Sequence, residues 1–320
     1  MTKVVLLAGG GGHTAYAYAL AQHLSGKCEI LSVVPEGDSL SKSRMQKLGD
    51  VRTLIKPRGP KTPLGPFAIR MGISFLHSSS IASSSRDIIV STGSNFCIAP
   101  CLHAKARGNP IVNIESSVRF VKASTTVKLL SRIARLNALQ WEEQKKLIPN
   151  GEVVGPMLAK REIEPHNGGY ILVTGGTHGH KALFECLSMS AMDNVLLQAG
   201  PLYGAFLMKN PAWKVIDYTD QFHELIAGAE VVVTHFGETC LDSALVYGKP
   251  TVISVNPDWT RTAGMEDARI LAKKLGAVLL DDFTPESLIH AIEEAKRLPR
   301  PVYVNGAEVL SRRILGMMKK

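Results

Sequence analysis

The chain opens twice in the same way. Val4-Val5-Leu6-Leu7-Ala8-Gly9-Gly10-Gly11-Gly12-His13 and Tyr170-Ile171-Leu172-Val173-Thr174-Gly175-Gly176-Thr177-His178-Gly179-His180 are each an apolar run, a glycine-rich turn and then a helical pattern. The apolar runs do not alternate with polar residues, so both faces of each strand are covered, as in a parallel sheet flanked by helices. Glycines at the hand-over from strand to helix let backbone N–H groups approach an anion at the positive end of the helix. Two such openings imply two domains of one kind, and 320 residues suit two cores of roughly 150 each.

The alternation continues between the openings. Strands are expected over residues 3–7, 29–34, 88–91, 111–114, 170–173, 195–198, 214–216, 231–234, 251–255 and 278–280, and helices over 14–24, 128–139, 181–190, 221–227, 239–247 and 266–275. The fold class is α/β, two Rossmann-like doubly wound domains with a cleft between them. The linker is expected between Gly155-Pro156 and Gly168-Gly169, where Pro, Gly and charge cluster. That makes residues 1–158 the N-terminal domain and residues 159–320 the C-terminal one.

Composition narrows the class. The chain is 45% hydrophobic and 20% charged, as globular chains are. No apolar stretch reaches the ~18 residues of a membrane span. Val4 to Leu7 run straight into glycines, which reads as a buried strand and not a secretory leader. Five cysteines, an odd number, argue against a disulfide framework and for a reducing compartment. Residues 1–160 hold 21 Lys and Arg against 9 Asp and Glu, a net of +12, whereas residues 161–320 hold 16 against 19, a net of −3. A basic half fits an anionic partner: nucleic acid, a membrane surface or a phosphorylated substrate. Nucleic acid fits poorly, because the interleaved aromatics of a single-strand binder are missing.

Candidate chemistry gathers at strand ends. Gly10, Gly11 and Gly12 shape the first turn, and His13 closes it, either as a base in a crevice or as a cap. The cluster is not a G-x-G-x-x-G, so a dinucleotide site is a weak reading. Glu115 follows a buried run, where strand C-termini line the crevice of open sheets, and is a base, a hydroxyl binder or an ordinary carboxylate. In the second turn Gly175, Gly176 and Thr177 offer donors to phosphate oxygens. In Thr234-His235-Phe236-Gly237-Glu238-Thr239-Cys240-Leu241-Asp242, Gly237 permits a tight turn and Thr239 is placed to cap a helix. Asp242 then falls in the first helical turn, on a ribose diol or complementing the helix dipole. Cys97, Cys101 and His103 lack a second ligand pair for zinc, and there is no His-Glu-x-x-His, Walker lysine or Gly-x-Ser-x-Gly. No metal is expected.

Two stretches suit a membrane surface. Residues 64–76 are strongly apolar and follow Lys56, Arg58 and Lys61; Phe67, Met71 and Phe75, four apart, share one helical face. Residues 118–139 carry Arg119, Lys122, Lys128, Arg132 and Arg135 among apolar residues, as a basic surface helix would, or a core-facing one.

Together these motifs resemble a known family. The first half is similar to the membrane-associated subunit of the eukaryotic two-subunit UDP-GlcNAc transferase, which adds the second GlcNAc to dolichyl-diphosphate-GlcNAc. The matching stretches are Gly10-Gly11-Gly12-His13-Thr14, Ser91-Thr92-Gly93-Ser94 with Cys97 and Pro100, Ile111 to Glu115-Ser116 with Arg119, Gln140-Trp141-Glu142, and Gly155-Pro156-Met157-Leu158. The second half resembles the donor-binding subunit, in Val173-Thr174-Gly175-Gly176-Thr177, Ala229 to His235, and Ala244 to Gly248-Lys249-Pro250. The chain thus looks like both subunits fused, acceptor half first, and more distantly like the bacterial lipid II synthase. It departs from the family in two places. The turn before the donor-site acid is one small residue short, with Asp242 where Glu is usual. Arg261, Glu266 and Asp267 occupy the region of the family's Asn/His/Gln cluster.

The resemblance implies an inverting, metal-independent GT-B glycosyltransferase, a hexosyltransferase of lipid-linked oligosaccharide and N-glycan precursor assembly. It would pass GlcNAc from UDP-GlcNAc to a polyprenyl (dolichyl) diphosphate-linked GlcNAc in β-1,4 linkage, with no cofactor. His13 is the implied base, with Glu115 orienting it or serving in its place. Gly10, Gly11, Gly12, Thr14, Gly93, Ser94, Ser116 and Arg119 would bind the acceptor. Gly175, Gly176, Thr177, Phe222, His235, Phe236, Gly237, Thr239 and Asp242 would bind the donor, with Phe222 or Phe236 near uracil. The expected partners are UDP-GlcNAc, the lipid acceptor, an anionic membrane surface and, as an open option, further copies of the chain. Nucleic acid is not expected, and the expected place is the cytoplasmic face of the cell membrane, held peripherally. The alternatives are a UDP-GlcNAc epimerase of the same fold, which needs no acceptor, and a non-catalytic basic binding module.

Overall fold

A computed structural model of the chain describes residues 2–58, 63–258 and 263–319. Lys61 and Arg261 lie outside the described residues. The chain forms two compact units, residues 1–160 with 304–320, and residues 161–303.

The first unit has strands β1 (Lys3–Leu7), β2 (Glu29–Pro35), β3 (Asp50–Leu54), β4 (Ile88–Ser91), β5 (Ile111–Ile114), β6 (Leu136–Leu139) and β7 (Glu152–Val153). Its helices are α1 (Gly12–Leu24), α2 (Ser39–Gln46), α3 (Leu64–His77), α4 (Ile98–Ala106) and α5 (Thr125–Leu130). All strands are parallel, in the order β3-β2-β1-β4-β5-β6-β7. The order reverses between β1 and β4, where Val4 pairs with Ile88 and Leu7 with Ser91. Strands β1, β4 and β5 are buried along their whole length, as their unbroken apolar runs require.

The second unit repeats the plan. Its strands are β8 (Tyr170–Thr174), β9 (Val195–Gln198), β10 (Lys214–Ile216), β11 (Ala229–His235), β12 (Thr251–Ser254) and β13 (Val278–Leu280). Its helices are α6 (Lys181–Met189), α7 (Tyr203–Phe206), α8 (Phe222–Gly228), α9 (Glu238–Leu241), α10 (Met265–Leu275) and α11 (Pro285–Arg297). The parallel order is β10-β9-β8-β11-β12-β13, reversing between β8 and β11. Arg300 closes this unit by donating to Gly276 O and Ala295 O, carbonyls at the ends of α10 and α11.

Three expectations need correction. Residues 128–139 are not a helix. Helix α5 stops at Leu130, and β6 pairs Leu136 and Ala138 with Val112 and Ile114, while the Asn113 amide donates to Asn137 Oδ1. A short apolar run fits either element, and the free edge of β5 selects the strand. The same finding removes the single basic helix over 118–139. Strand β3 was not expected because it is a mostly exposed edge strand, with no apolar run to announce it. Lastly, residues 159–320 are not one unit. Helix α12 (Gly306–Met318) returns to the first unit, burying Ala307, Leu310 and Ile314 in the core that holds Tyr16, Leu20 and Leu24 of α1. Gly306 N donates to Pro156 O at 2.7 Å, and a side chain on Gly306 would collide with the Gly155 carbonyl.

Candidate active site

In open α/β sheets, ligands bind beyond the strand C-termini where the strand order reverses. Each unit places its glycine turn there. In the first unit the turn after β1 meets the turn after β4. Gly9 must be glycine, because a Cβ would overlap the Ser94 side chain, and Gly10 and Gly11 have φ of 93° and 56°. His13 sits on the first turn of α1 with Nδ1 2.5 Å from Thr92 O. A carbonyl only accepts, so Nδ1 carries the proton and Nε2 is the basic atom. Burial, with the charges of Lys56 and Arg119, pushes the His13 imidazole down to about 4, against the pull of the Thr92 carbonyl. Thr14 does not face the crevice freely. Its hydroxyl accepts from Gly10 N and pairs with Ser41 Oγ, which donates to Asp38. Thr14 therefore shapes the turn.

Glu115 is fully buried, and both its oxygens are used. One accepts from Ser116 N at 2.8 Å and the other from Ser124 N at 3.0 Å. Burial pushes its carboxyl up to about 7, against those two N–H groups and Arg119. Glu115 thus organises the 115–124 loop. The loop is fastened elsewhere too: Tyr16 bonds the Ser116 and Ser117 hydroxyls, Trp141 Nε1 donates to Ser117 O, and Gln144 Nε2 donates to Ser116 O and Arg119 O. Gln140 donates to Glu115 O and accepts from Met157 N. The Gln140-Trp141-Glu142 stretch is therefore the buttress of the loop that carries Arg119. Gly93, with φ of 86°, has no room for a Cβ between Ile114 O and the Val127 side chain.

The second unit builds a matching crevice. A Cβ on Gly176 or on Gly237 would sit 2.7 or 2.8 Å from the His235 ring, so these two glycines make room for that ring. Gly175 packs directly against Gly179 and the His180 backbone. Burial, aided by His178, pushes His235 down to about 4. Thr177 is exposed at the mouth, its carbonyl bonded by Tyr218 Oη at 2.8 Å. Thr174 ties the turn to Gln198 and accepts from Gly176 N. Phe222 and Phe236 are both half-buried, at the start of α8 and after β11.

Two expectations fail at the next helix. Gly237, not Thr239, is the residue before α9, and no side chain caps that helix. Asp242 lies past the first turn and is 8% exposed. It opens a π turn, Asp242–Val246, closed by Tyr247 N on Asp242 O. A π turn holds one residue more than an α turn. Lys249 is structural, donating to His166 O at 2.7 Å.

Helix α3 exists, but its faces are exchanged. Phe67, Met71 and Phe75 are half-buried, Phe75 lying edge-on to His103 of α4 at 5.1 Å. The exposed apolar residues are Ile69 (68%), Ile73 (37%) and Leu76 (69%). No helix among the described residues is long and apolar enough to cross a membrane. Nor do the described residues include a group of three His, Cys, Asp or Glu placed to hold a metal. All five cysteines are free.

Sequence reasoning missed Asp38, Ser41 and Tyr218, and read Lys56 only as a flanking charge. Asp38 and Ser41 sit at the start of α2, Lys56 follows the edge strand β3, and Tyr218 lies between β10 and α8, with no local pattern to announce them.

Comparison with known proteins supports the same plan. Residues 170–300 match the model of the glycosyltransferase family 28 C-terminal domain, a span that contains the second crevice. A relative from Chlorobium phaeobacteroides, UDP-N-acetylglucosamine--N-acetylmuramyl-(pentapeptide) pyrophosphoryl-undecaprenol N-acetylglucosamine transferase, is 26% identical over 314 residues, covering 87% of this chain and 85% of its own. Among solved structures, MurG of Acinetobacter baumannii aligns with a TM-score of 0.66 at 18% identity, over 98% of this chain and 99% of that one. A UDP-GlcNAc 2-epimerase from Neisseria meningitidis, bound to UDP-GlcNAc, aligns with a TM-score of 0.63 at 12% identity, over 99% and 100%. At such identities these structures speak for the fold alone. The fold is GT-B, built from two parallel-sheet Rossmann-like domains.

Proposed function

We propose that this UDP-GlcNAc-dependent glycosyltransferase delivers its sugar, with inversion, to a second sugar carried on a polyprenyl diphosphate. The observation that carries the reading is the duplicated crevice: a glycine turn and a histidine at each sheet's reversal point, with the match to the glycosyltransferase family 28 C-terminal domain spanning the second. The turn of Gly175, Gly176 and Thr177 holds the donor diphosphate, Gly176 shaping it through its bond to Thr174 while the neighbouring backbone N–H groups meet the phosphates, and Asp242 accepts from the ribose. The acceptor's sugar hydroxyl lies at His13. Nε2 takes the hydroxyl proton as the oxygen attacks the anomeric carbon. The new C–O bond forms while the bond to UDP breaks, and UDP leaves with the electron pair, stabilised by the amides of the glycine turn.

The finer assignment is a dolichyl-type diphosphate-GlcNAc acceptor and a β-1,4 product, supported by the motifs of the first half. The curated relative's name instead specifies N-acetylmuramyl-(pentapeptide) pyrophosphoryl-undecaprenol. Docking on an anionic membrane surface is supported by the net +12 of residues 1–160 and by the exposed Ile69, Ile73 and Leu76.

The test is transfer of labelled GlcNAc to short-chain diphosphate-linked GlcNAc and to diphosphate-linked N-acetylmuramyl-pentapeptide, side by side, in excess EDTA. The reading expects acceptor-dependent transfer, greater to GlcNAc. Preference for the muramyl acceptor overturns the finer assignment. Turnover of UDP-GlcNAc to an epimer without acceptor overturns the transferase.

A further inference from the structure

We propose that Tyr218 and Asn256 are positioning residues for the donor: each draws a carbonyl of the second glycine turn aside, so that N–H groups of the turn face the phosphates. The inference rests on the donor reading above and adds residues that act through the turn. Strands β9, β10 and β12 each send a side chain to the turn after β8: Gln198 ends β9, Tyr218 lies two residues past β10, and Asn256 two residues past β12. Gln198 Oε1 accepts from Thr174 Oγ1 at 2.6 Å, and that hydroxyl accepts from Gly176 N at 3.1 Å. The Tyr218 hydroxyl donates to Thr177 O at 2.8 Å. The Asn256 amide donates to Gly179 O at 2.9 Å, while its Oδ1 accepts from Asp258 N, which fixes the orientation of the amide. Burial and the Asp217 charge push the Tyr218 phenol up, so it keeps its proton and donates. Gly200 leaves room for it: a Cβ there would come to 3.1 Å from the Tyr218 hydroxyl.

A turn carries carbonyls as well as N–H groups, and a carbonyl oxygen aimed at a phosphate repels it. The planar trans peptide points its C=O and its N–H in opposite directions. Fixing Thr177 O on Tyr218 therefore turns the His178 N–H the other way, and fixing Gly179 O on Asn256 does the same for the His180 N–H. Within the turn, Gly176 O accepts from Gly179 N at 3.3 Å. Gly176 and Gly179, at φ of 64° and 71°, carry no side chain to hold these peptides in place, so the hold comes from neighbouring strands. Donors set in advance bind phosphate oxygens without a cost of reorganisation. Uridine has no phosphate and is indifferent to them.

The test compares UDP with uridine by ¹⁵N-amide NMR titration of the full chain, which needs no turnover. In the wild type, UDP is expected to shift the His178 and His180 amide signals and uridine to leave them in place. Tyr218→Phe keeps the ring and loses the hydroxyl. It should weaken UDP about 3- to 10-fold, the usual net worth of one hydrogen bond, and leave uridine affinity within about twofold. Asn256→Ala should act likewise, and the double variant should lose more than either. The donor KM should rise in parallel, with the acceptor KM unchanged. Wild-type amides that UDP leaves unmoved overturn the proposal, whether or not a variant folds. So does a folded Tyr218→Phe with wild-type UDP affinity, or one that loses UDP and uridine alike; transfer that persists in such a variant leaves the function proposed above standing. Tyr218-dependent UDP binding without transfer to any acceptor would uphold the positioning role and overturn that function.

Discussion

His13 and Glu115 are displaced from their ordinary values in opposite directions, which separates their roles. A base must be unprotonated to work. With His13 near 4 in the free enzyme, kcat/KM should stay level from pH 8 down to about 5 and fall only as the imidazole is protonated. A Glu115 base, near 7, would make kcat/KM fall already between pH 8 and 6. The pH dependence of kcat/KM with a short-chain acceptor distinguishes the two. Glu115→Gln should impair turnover through the loop and leave the pH profile in place. Asp242→Asn should weaken UDP by roughly 1.5–3 kcal/mol, the worth of a hydrogen bond to a charged group. Calorimetry showing unchanged UDP affinity would make Asp242 a structural residue of the π turn. At this scale the sequence was legible wherever the chemistry is local. Gly9 to His13 and Gly175 to Thr177 sit at strand ends that their own apolar runs announce. The contact of Lys56 with Gly9 O was illegible, because only the pairing of β3 with β2 brings it back to the turn after β1.

Helices and strands were legible where an apolar run is long or periodic and ambiguous where it is short. Residues 136–139 could have continued α5, and the unpaired edge of β5 decided otherwise. Helix α3 shows a subtler failure. Its spacing identifies two apolar faces without saying which one the protein covers, and the packing of Phe75 on His103 settles that. Substitution should separate the faces. Ile69→Asp with Ile73→Asp should leave the fold intact and release the protein from anionic liposomes. Activity on long-chain acceptors should drop while activity on a soluble acceptor survives. Phe75→Ala should instead lower thermal stability, by about 1 kcal/mol for a half-buried ring. Co-sedimentation with liposomes, set beside melting curves, reads both effects. A double variant that still sediments would place docking elsewhere on the basic half.

The whole molecule is a duplicated Rossmann-like plan with divided charge. The duplication was legible because it repeats in sequence. The destination of α12 was not, since an amphipathic helix carries no label for the core it joins; the glycines at 155 and 306 let it close on the first unit. The central claim is a division of labour, with the base in the first unit and UDP in the second. The most direct measurement is UDP affinity and turnover on one preparation of His13→Ala. The account predicts turnover lower by about 10²–10⁴-fold, the usual worth of a general base, with UDP binding at wild-type affinity. Near-normal turnover, or loss of UDP binding along with turnover, would contradict it.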